Sequence, residues 1–160
     1  MGKKFSIGKI AFGAILAAGY VALTLANPLS FPAIQFRVSE ILLLVCFYNR
    51  AHCVPMIIGC FIANLFSPFG MADAVFGTLA TALAAVPMHK MKNIWLASLL
   101  PVITNAAIIG LMLKIVYGLP FWFNAAAVGL GQLAVVTAAG APLFRFALEK
   151  NKRVMEIIRN

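Results

Sequence analysis

Long apolar runs separated by short polar connections dominate the sequence. Residues 10–36 carry no charged side chain, and further charge-poor runs follow along the rest of the chain. Because a hydrocarbon core of about 30 Å needs roughly 20 helical residues, these runs predict membrane-spanning helices. The second and third are short, so five spans are the alternative if these two form one broken hairpin. The six predicted spans are residues 10–26, 36–49, 53–66, 73–89, 94–117 and 121–148.

Composition indicates the same class of protein. The chain is 63% hydrophobic and 11% charged, with a mean hydropathy of +0.99, whereas an ordinary soluble domain is about 25% charged. The net charge of +9 could indicate nucleic-acid binding, but the basic residues cluster in the connections and at the two ends of the chain. The sequence therefore predicts an all-α integral membrane protein. Its single membrane domain covers residues 1–160 and ends in a basic cytoplasmic tail at residues 149–160.

The basic residues also predict an orientation. An even number of spans places both termini on one side of the membrane, and all but two of the 13 Lys and Arg residues then share that side. Because Lys and Arg are enriched in cytoplasmic connections, both termini of this multi-pass protein are predicted to be cytoplasmic. Arg37 and Lys114 are the two that fall toward the outer face. The others are Lys3, Lys4, Lys9, Arg50, Lys90, Lys92, Arg145, Lys150, Lys152, Arg153 and Arg159.

Arg37 and Glu40 form the most informative pair in the sequence. The chain has 4 acidic residues in all, and Glu40 lies three positions after an arginine, a spacing that puts both side chains on one helix face. Ionisable groups beside a lipid-buried run are costly and usually mark a substrate or ion path. The alternative interpretation is an interfacial salt bridge that starts a helix.

Several further polar residues have two interpretations each. Asp73 and Asn124 open the fourth and sixth predicted spans, where either could cap a helix N-terminus or contact a ligand. Others lie inside predicted spans, where a polar group needs a partner on a neighbouring helix or on a ligand. These residues are Asn64, Asn105 and Gln132.

Residue spacing assigns two helix faces. At about 100° per residue, Lys114 lies opposite Asn105, so Lys114 is predicted to face lipid if Asn105 faces the bundle. In the first span, small residues share a narrow arc where another helix could approach closely. Packing inside the bundle is the alternative for this arc, which consists of Ala11, Ala14, Ala18 and Ala22.

Motifs for catalysis or metal binding are missing from the sequence. There is no Walker A loop, no HExxH and no GxSxG, and Cys46, Cys53 and Cys60 lack the paired spacing of a zinc site. No metal, cofactor or catalytic residue is therefore expected. A protein that moves a solute uphill without its own energy-coupling machinery must borrow it from partners or use ion coupling.

A series of short motifs resembles the QueT family. The chain contains YVALTL from Tyr20, IQFRVSE from Ile34, ANL from Ala63, DAVFGTLAT from Asp73, WFN from Trp122 and VGLG from Val128. The resemblance covers most of the chain in the right order. QueT proteins are substrate-binding S components of energy-coupling factor (ECF) transporters for queuosine precursors.

The resemblance implies a six-helix bundle in a prokaryotic cell membrane that binds a deazaguanine base from outside. A transmembrane T subunit and two cytoplasmic ATPases would then drive its reorientation, with Ala14, Ala18 and Ala22 meeting the T subunit. A guanine-like edge presents adjacent N–H donors, which a carboxylate accepts with two oxygens. Glu40 is therefore expected to accept hydrogen bonds from the ligand, while Arg37 holds Glu40 ionised and oriented.

The predicted substrate-binding residues combine charged, amide and aromatic side chains. Phe69 and Trp122 are further candidates for stacking on a flat ring. The family pattern carries a glutamate at the position where this chain has Gln132, which bears on recognition of ligand charge. The full predicted set is Gln35, Phe36, Arg37, Glu40, Asn64, Asp73, Asn105, Asn124 and Gln132.

Two other functions use the same residues. A small membrane-embedded enzyme could act on a lipid or isoprenoid with Asp73 or Glu40 as its acid–base group, although paired acidic motifs are missing. A solitary ion-coupled carrier would need no ATPase partner. A non-enzymatic substrate-capture component is the preferred interpretation.

Overall fold

The structure, a computed structural model, describes residues 7–30 and 36–159. Within these residues the chain folds into helices and forms no strand. Short 3₁₀ turns, Pro28–Ser30 and Arg50–His52, lie in two of the connections. The main helices are α1 (Ile7–Ala26), α2 (Val38–Tyr48), α3 (Cys53–Asn64), α4 (Gly70–Met88), α5 (Ile94–Tyr117), α6 (Phe121–Leu148) and α7 (Lys152–Arg159).

Four of these helices are long and apolar enough to cross a membrane, namely α1, α4, α5 and α6. They coincide with the predicted first, fourth, fifth and sixth spans to within three residues at each end. Local sequence explains where α5 begins and ends. The Asn93 side chain caps its first turn by accepting a hydrogen bond from the Leu96 N–H. Gly118 ends it with a positive φ of 70°, which a glycine adopts without steric cost.

The predicted second and third spans correspond to the shorter helices α2 and α3. α2 begins as a 3₁₀ helix over Val38–Leu44 and continues as an α-helix over Val45–Tyr48. A 3₁₀ helix rises about 2.0 Å per residue and an α-helix about 1.5 Å, so α2 is about 20 Å long. The 12 residues of α3 extend about 18 Å by the same rise. Both helices are shorter than the apolar core of a bilayer.

Successive helices from α1 to α6 run in alternating directions. α1 and α2 are antiparallel, because Tyr20 meets Glu40 and Thr24 meets Ser39. α1 and α3 are parallel, because Gly13 lies beside Pro55 and Ala17 lies beside Gly59. Cys53 reaches Ala85 across the antiparallel pair α3 and α4. The connections after α1, α3 and α5 therefore lie at one end of the bundle, called here the site end. Those after α2, α4 and α6 lie at the other, called the basic end.

Small residues set the closest helix contacts. A Cβ atom on Gly59 would lie 2.9 Å from the Ala17 carbonyl oxygen, so only glycine allows α1 and α3 to approach this closely. A Cβ on Gly110 would lie 3.0 Å from the Ala125 Cβ between α5 and α6. Small residues at such contacts replace the large side chains of a soluble core and allow the helix backbones to pack directly.

The predicted charge distribution matches the two ends of the bundle. Every Lys and Arg residue of the described part of the chain lies toward the basic end, apart from Arg37 and Lys114. Lys114 is exposed and Asn105 is 2% exposed, so the two lie on opposite faces of α5 as predicted. Lys3 and Lys4 lie outside the described residues.

The predicted basic tail contains a helix that packs on the basic end. α7 buries Met155 and Ile158 and exposes its charged side chains. The Asn49 side chain donates a hydrogen bond to the Arg159 carbonyl at 3.2 Å, and a ring nitrogen of His52 lies 2.7 Å from the Ile158 carbonyl. α7 therefore covers the junction between α2 and α3.

Candidate functional site

Three charged side chains are buried together near the site end of an otherwise apolar bundle. Arg37 is 1% exposed, and Glu40 and Asp73 are both 0% exposed. A charge taken out of water is costly unless it is paired and hydrogen-bonded. Their partners therefore show how the fold accommodates them.

Arg37 forms an ion pair with Asp73, not with Glu40 as predicted. Its Nη2 atom lies 3.0 Å from Asp73 Oδ2, and its Nε donates to the Ser30 carbonyl at 3.3 Å. The prediction assumed that Arg37 begins a helix. Instead Arg37 precedes the 3₁₀ turn with an extended backbone (φ −78°, ψ 91°), so the helical spacing on which the prediction rested does not apply to it. The ion pair connects the start of α2 to the start of α4.

Glu40 is held by Tyr20 of α1. The Tyr20 hydroxyl donates to Glu40 Oε1 at 2.5 Å, and the other carboxylate oxygen, Oε2, has no hydrogen-bond partner. One turn further along α1, the Thr24 hydroxyl lies 2.6 Å from the Ser39 hydroxyl. Tyr20 and Thr24 belong to the YVALTL motif, but they were not among the predicted site residues. Their spacing was the available signal, because they are the two polar side chains of residues 10–26 and lie four apart.

Asn64 and Asp73 meet beside Gly77. A Cβ atom on Gly77 would lie 2.5 Å from Asn64 Nδ2 and 3.3 Å from Asp73 Oδ1, so both side chains pack against the space that this glycine leaves open. Asn64 Nδ2 also donates to the Cys60 sulfur at 3.3 Å. Two of the predicted site residues, at the end of α3 and in the first turn of α4, therefore both lie against Gly77.

Neither Asp73 nor Asn124 caps a helix. α4 begins at Gly70, so Asp73 lies in its first turn and makes the ion pair with Arg37. α6 begins at Phe121, and the Asn124 side chain donates back to the Pro120 carbonyl at 2.7 Å. A capping side chain would accept a backbone N–H, so the capping interpretation was wrong for both residues.

Asn105 and Gln132 lie deeper in the bundle, on α5 and α6. Asn105 Nδ2 donates to the Pro101 carbonyl at 3.0 Å, and Gln132 is 1% exposed with no partner for its Oε1 atom. Ala106 lies beside Gly129 where the two helices cross in antiparallel directions. This register puts Gln132 about 3 Å below Asn105 along the helix axes.

The aromatic candidates differ in position. Phe36 is 37% exposed at the entrance to α2, and Phe69 packs edge-to-face on Tyr117 with ring centroids 5.3 Å apart. Trp122 is 82% exposed and does not face the buried polar residues.

Among the predicted substrate-binding residues, Gln35 lies outside the described residues. The substrate-binding assignments remain predictions, although the structure pairs Arg37 with Asp73 and places Asn64 and Asp73 beside the same glycine.

Unpartnered oxygens are the main chemical feature of this region. Leaving a buried acceptor without a hydrogen bond costs roughly 1–3 kcal/mol, and native proteins contain few such atoms. Two further buried hydroxyls, of Ser30 and Thr78, also lack partners. The carboxylate and amide oxygens without partners are Glu40 Oε2, Asp73 Oδ1, Asn64 Oδ1 and Gln132 Oε1. Because all four atoms are acceptors, the groups that would complement them are hydrogen-bond donors.

The alanine arc of α1 lies on the outside of the bundle. Its inner face carries Gly13, Leu16, Tyr20 and Thr24. The arc itself is exposed at all four positions, which are Ala11, Ala14, Ala18 and Ala22. Packing inside the bundle therefore does not explain the arc, and its role in partner docking remains a prediction.

Comparisons with known proteins identify a family. Residues 10–149 match the sequence profile described as the QueT transporter. Over 71 residues the chain is 42% identical to a protein named Queuosine precursor transporter QueT from Lactococcus lactis subsp. cremoris (strain MG1363). That alignment covers 42% of this chain and 41% of the relative, so it spans less than half the length of either. No solved structure matches the chain significantly.

Proposed function

The chain belongs to the QueT transporter family, and from this we propose that it is the substrate-capture S component of an ECF importer for a queuosine precursor. One observation carries the proposal. Arg37, Glu40, Asn64 and Asp73 form a buried polar cluster with unpartnered acceptors inside an apolar helical bundle. Polar groups in such surroundings usually serve a substrate path. A deazaguanine base supplies the N–H donors that these oxygens need.

The direction of capture follows from charge. In this proposal the short helices α2 and α3 complete six membrane passes together with the four long ones. The positive-inside rule then places the basic end and both termini in the cytoplasm. The site end faces outward, where the precursor is taken up. The base would enter between the starts of α2 and α4, because Glu40 and Asp73 flank that position.

Energy for uptake would come from other subunits. The sequence has no Walker A loop, so the chain itself has no recognisable site for ATP. The exposed alanines of α1 present a surface without bulky side chains, which lets another helix pack at close range. We assign this surface to a transmembrane T subunit that is driven by two ATPases.

Calorimetry and reconstituted transport test the proposal together. The purified chain should bind a deazaguanine base without ATP, and proteoliposomes should accumulate the base only when the T subunit, both ATPases and ATP are present. Uptake by the chain alone under an ion gradient would identify a solitary carrier. Chemical conversion of a lipid or isoprenoid by the purified chain would identify an enzyme. Absence of binding to any deazaguanine base would contradict the assignment of substrate.

The docking surface has its own prediction. Ala18→Trp places a large side chain in the middle of the exposed arc, so close packing with the T subunit should be blocked. We expect ATP-dependent uptake to be lost while the isolated chain keeps its ligand affinity. Ile103→Trp is the matched control, because Ile103 is 64% exposed on α5, away from the arc. Unchanged uptake in Ala18→Trp would place the docking surface elsewhere.

A further inference from the structure

An open cleft at the basic end lies between the ends of three helices. It has a volume of about 310 Å³ and is bounded by the end of α2, the start of α5 and the end of α6. Its lining combines aromatic and charged side chains, among them Phe47, Lys92, Trp95, Arg145 and Glu149. The cleft lies at the opposite end of the bundle from the buried polar cluster, so the proposed substrate site does not account for it.

The charged side chains of this cleft leave one cation uncompensated. Arg145 Nη1 donates to Glu149 Oε2 at 2.6 Å, and the Tyr48 hydroxyl donates to Glu149 Oε1 at 2.9 Å. The charge of Glu149 is therefore balanced by Arg145. Lys92 is exposed and forms no ion pair with any residue that the structure describes. The cleft thus carries a net positive charge and favours an anion.

The surface beside the cleft is apolar. Trp95 and Leu96 in the first turn of α5 are 41% and 45% exposed, and Phe146 in the last turn of α6 is 61% exposed. Because α5 and α6 are long and apolar enough to cross a membrane, apolar side chains exposed on them face lipid. Tryptophan is enriched at the level of the lipid headgroups. Trp95 therefore indicates that the cleft lies at the membrane interface.

We propose that this cleft binds the phosphate headgroup of an anionic phospholipid. Lys92 supplies the uncompensated charge, and the N–H groups of Arg145 that Glu149 does not use donate to phosphate oxygens. Basic pockets between membrane helices bind anionic headgroups in this way. The exposed apolar side chains beside the cleft favour a lipid over a free phosphate ion, because they offer the acyl chains a surface that an ion would not contact.

Quenching of Trp95 fluorescence in nanodiscs tests the proposal. Trp122→Phe leaves Trp95 as the one tryptophan of the chain. The bilayer is phosphatidylcholine with an increasing fraction of lipid brominated near the glycerol, either anionic phosphatidylglycerol or zwitterionic phosphatidylcholine. Brominated phosphatidylglycerol should reach half-maximal quenching at about fivefold lower mole fraction, as expected for one uncompensated positive charge near the membrane surface.

A matched pair of lysine variants distinguishes a site from a diffuse basic surface. Lys92→Gln removes the uncompensated charge of the cleft and should reduce the preference for the anionic lipid to less than about twofold. Lys90→Gln removes the same charge from an exposed lysine of the same connection that does not line the cleft, and it should leave the preference unchanged. Glu149→Gln leaves Arg145 uncompensated and should raise the preference.

Equal quenching by the two brominated lipids with Lys92 and Arg145 intact would overturn the proposal, and this measurement does not depend on any cleft variant folding. Equal reductions in Lys90→Gln and Lys92→Gln would also overturn it. Calorimetry in detergent distinguishes the two sources of phosphate. Short-chain phosphatidylglycerol should bind at least about tenfold more tightly than inorganic phosphate, because its buried CH₂ groups add affinity. Inorganic phosphate that binds as tightly as the lipid would identify a site for the free ion instead.

Discussion

The ion pairs described at the two ends of the bundle, Arg37–Asp73 and Arg145–Glu149, differ in burial more than in distance. At the site end, Arg37 and Asp73 are separated by 3.0 Å, with side-chain exposures of 1% and 0%. At the basic end, Arg145 and Glu149 are separated by 2.6 Å, with exposures of 57% and 21%. The shorter distance belongs to the pair that water screens. Burial, and not distance, therefore decides how much stability is lost when one partner of a pair is removed.

The comparison extends to the surroundings of each pair. Around Arg37 and Asp73 several buried oxygens have no hydrogen-bond partner. Around Arg145 and Glu149 the charged side chains line an open cleft of about 310 Å³ with Phe47 and Lys92. The site end concentrates its polar groups in the interior, whereas the basic end presents them to solvent.

Removal of the buried cation should have the largest effect on folding. Arg37→Met leaves the Asp73 carboxylate buried without its partner, so the free energy of unfolding in detergent should fall by roughly 3–5 kcal/mol. The double variant Arg37→Met with Asp73→Leu removes both charges and should recover most of this loss. Arg145→Met is the matched control at the basic end. An equal loss in the two single variants would contradict the contrast between the ends.

Much of the fold follows from the length of the apolar runs. α1, α4, α5 and α6 each need enough apolar residues to cross a bilayer, and the sequence supplies these without interruption. The placement of Lys114 and Asn105 on opposite faces of α5 follows from helical spacing alone. The 3₁₀ conformation at the start of α2 could not be predicted, because the sequence of this segment also fits an ordinary α-helix. The packing of the segment in the bundle cannot be inferred from its local sequence.

The partners of the site residues depend on tertiary structure. Arg37 and Asp73 lie 36 positions apart, and Tyr20 and Glu40 lie 20 apart. Spacing within one helix cannot reveal such pairs, and it instead predicted a pair between Arg37 and Glu40. The rarity of charge pointed to Arg37 and Glu40, and both are buried. It could not indicate which of them bond to each other.

Two tyrosine-to-phenylalanine variants compare the ends at the level of single hydrogen bonds. Tyr20→Phe removes the donor to the fully buried Glu40 carboxylate and should lower the free energy of unfolding by roughly 1.5–3 kcal/mol. Tyr48→Phe removes a hydrogen bond of 2.9 Å to Glu149, which is partly exposed and can bind water instead. Its cost should stay below about 1 kcal/mol. Similar losses in denaturant titrations of both variants would argue that the two carboxylates are equally desolvated.

Two glycine-to-alanine variants test how closely the polar side chains pack at the site end. In Gly77→Ala the new methyl group would lie 2.5 Å from Asn64 Nδ2, so the amide must move, at a cost of about 1–3 kcal/mol. Gly19→Ala places a methyl 3.7 Å from Leu42 Cδ1, which is an ordinary contact. Because alanine favours a helix over glycine by about 1 kcal/mol, this control should be neutral or stabilising. Thermal unfolding that ranks Gly77→Ala as the more stable protein would contradict the close packing of Asn64.

The smallest effect is expected at the exposed ion pair. Arg145→Gln removes one member of a pair spaced four residues apart near the end of α6, where both side chains contact solvent. Such pairs contribute about 0.3–0.5 kcal/mol, because water screens the charges and each long side chain loses conformational freedom when it is held in place.

The loss of stability in Arg145→Gln should shrink further between about 0.05 and about 0.5 M salt, because the Debye length falls from well above the length of the ion pair to near it. Arg37→Met should show almost no dependence on salt, because its partner is buried. A loss above about 1 kcal/mol for Arg145→Gln that persists in high salt would mean that the basic end is desolvated by its packing with α7. The ion pairs at the two ends would then consist of different residues but would contribute similarly to the stability of the fold.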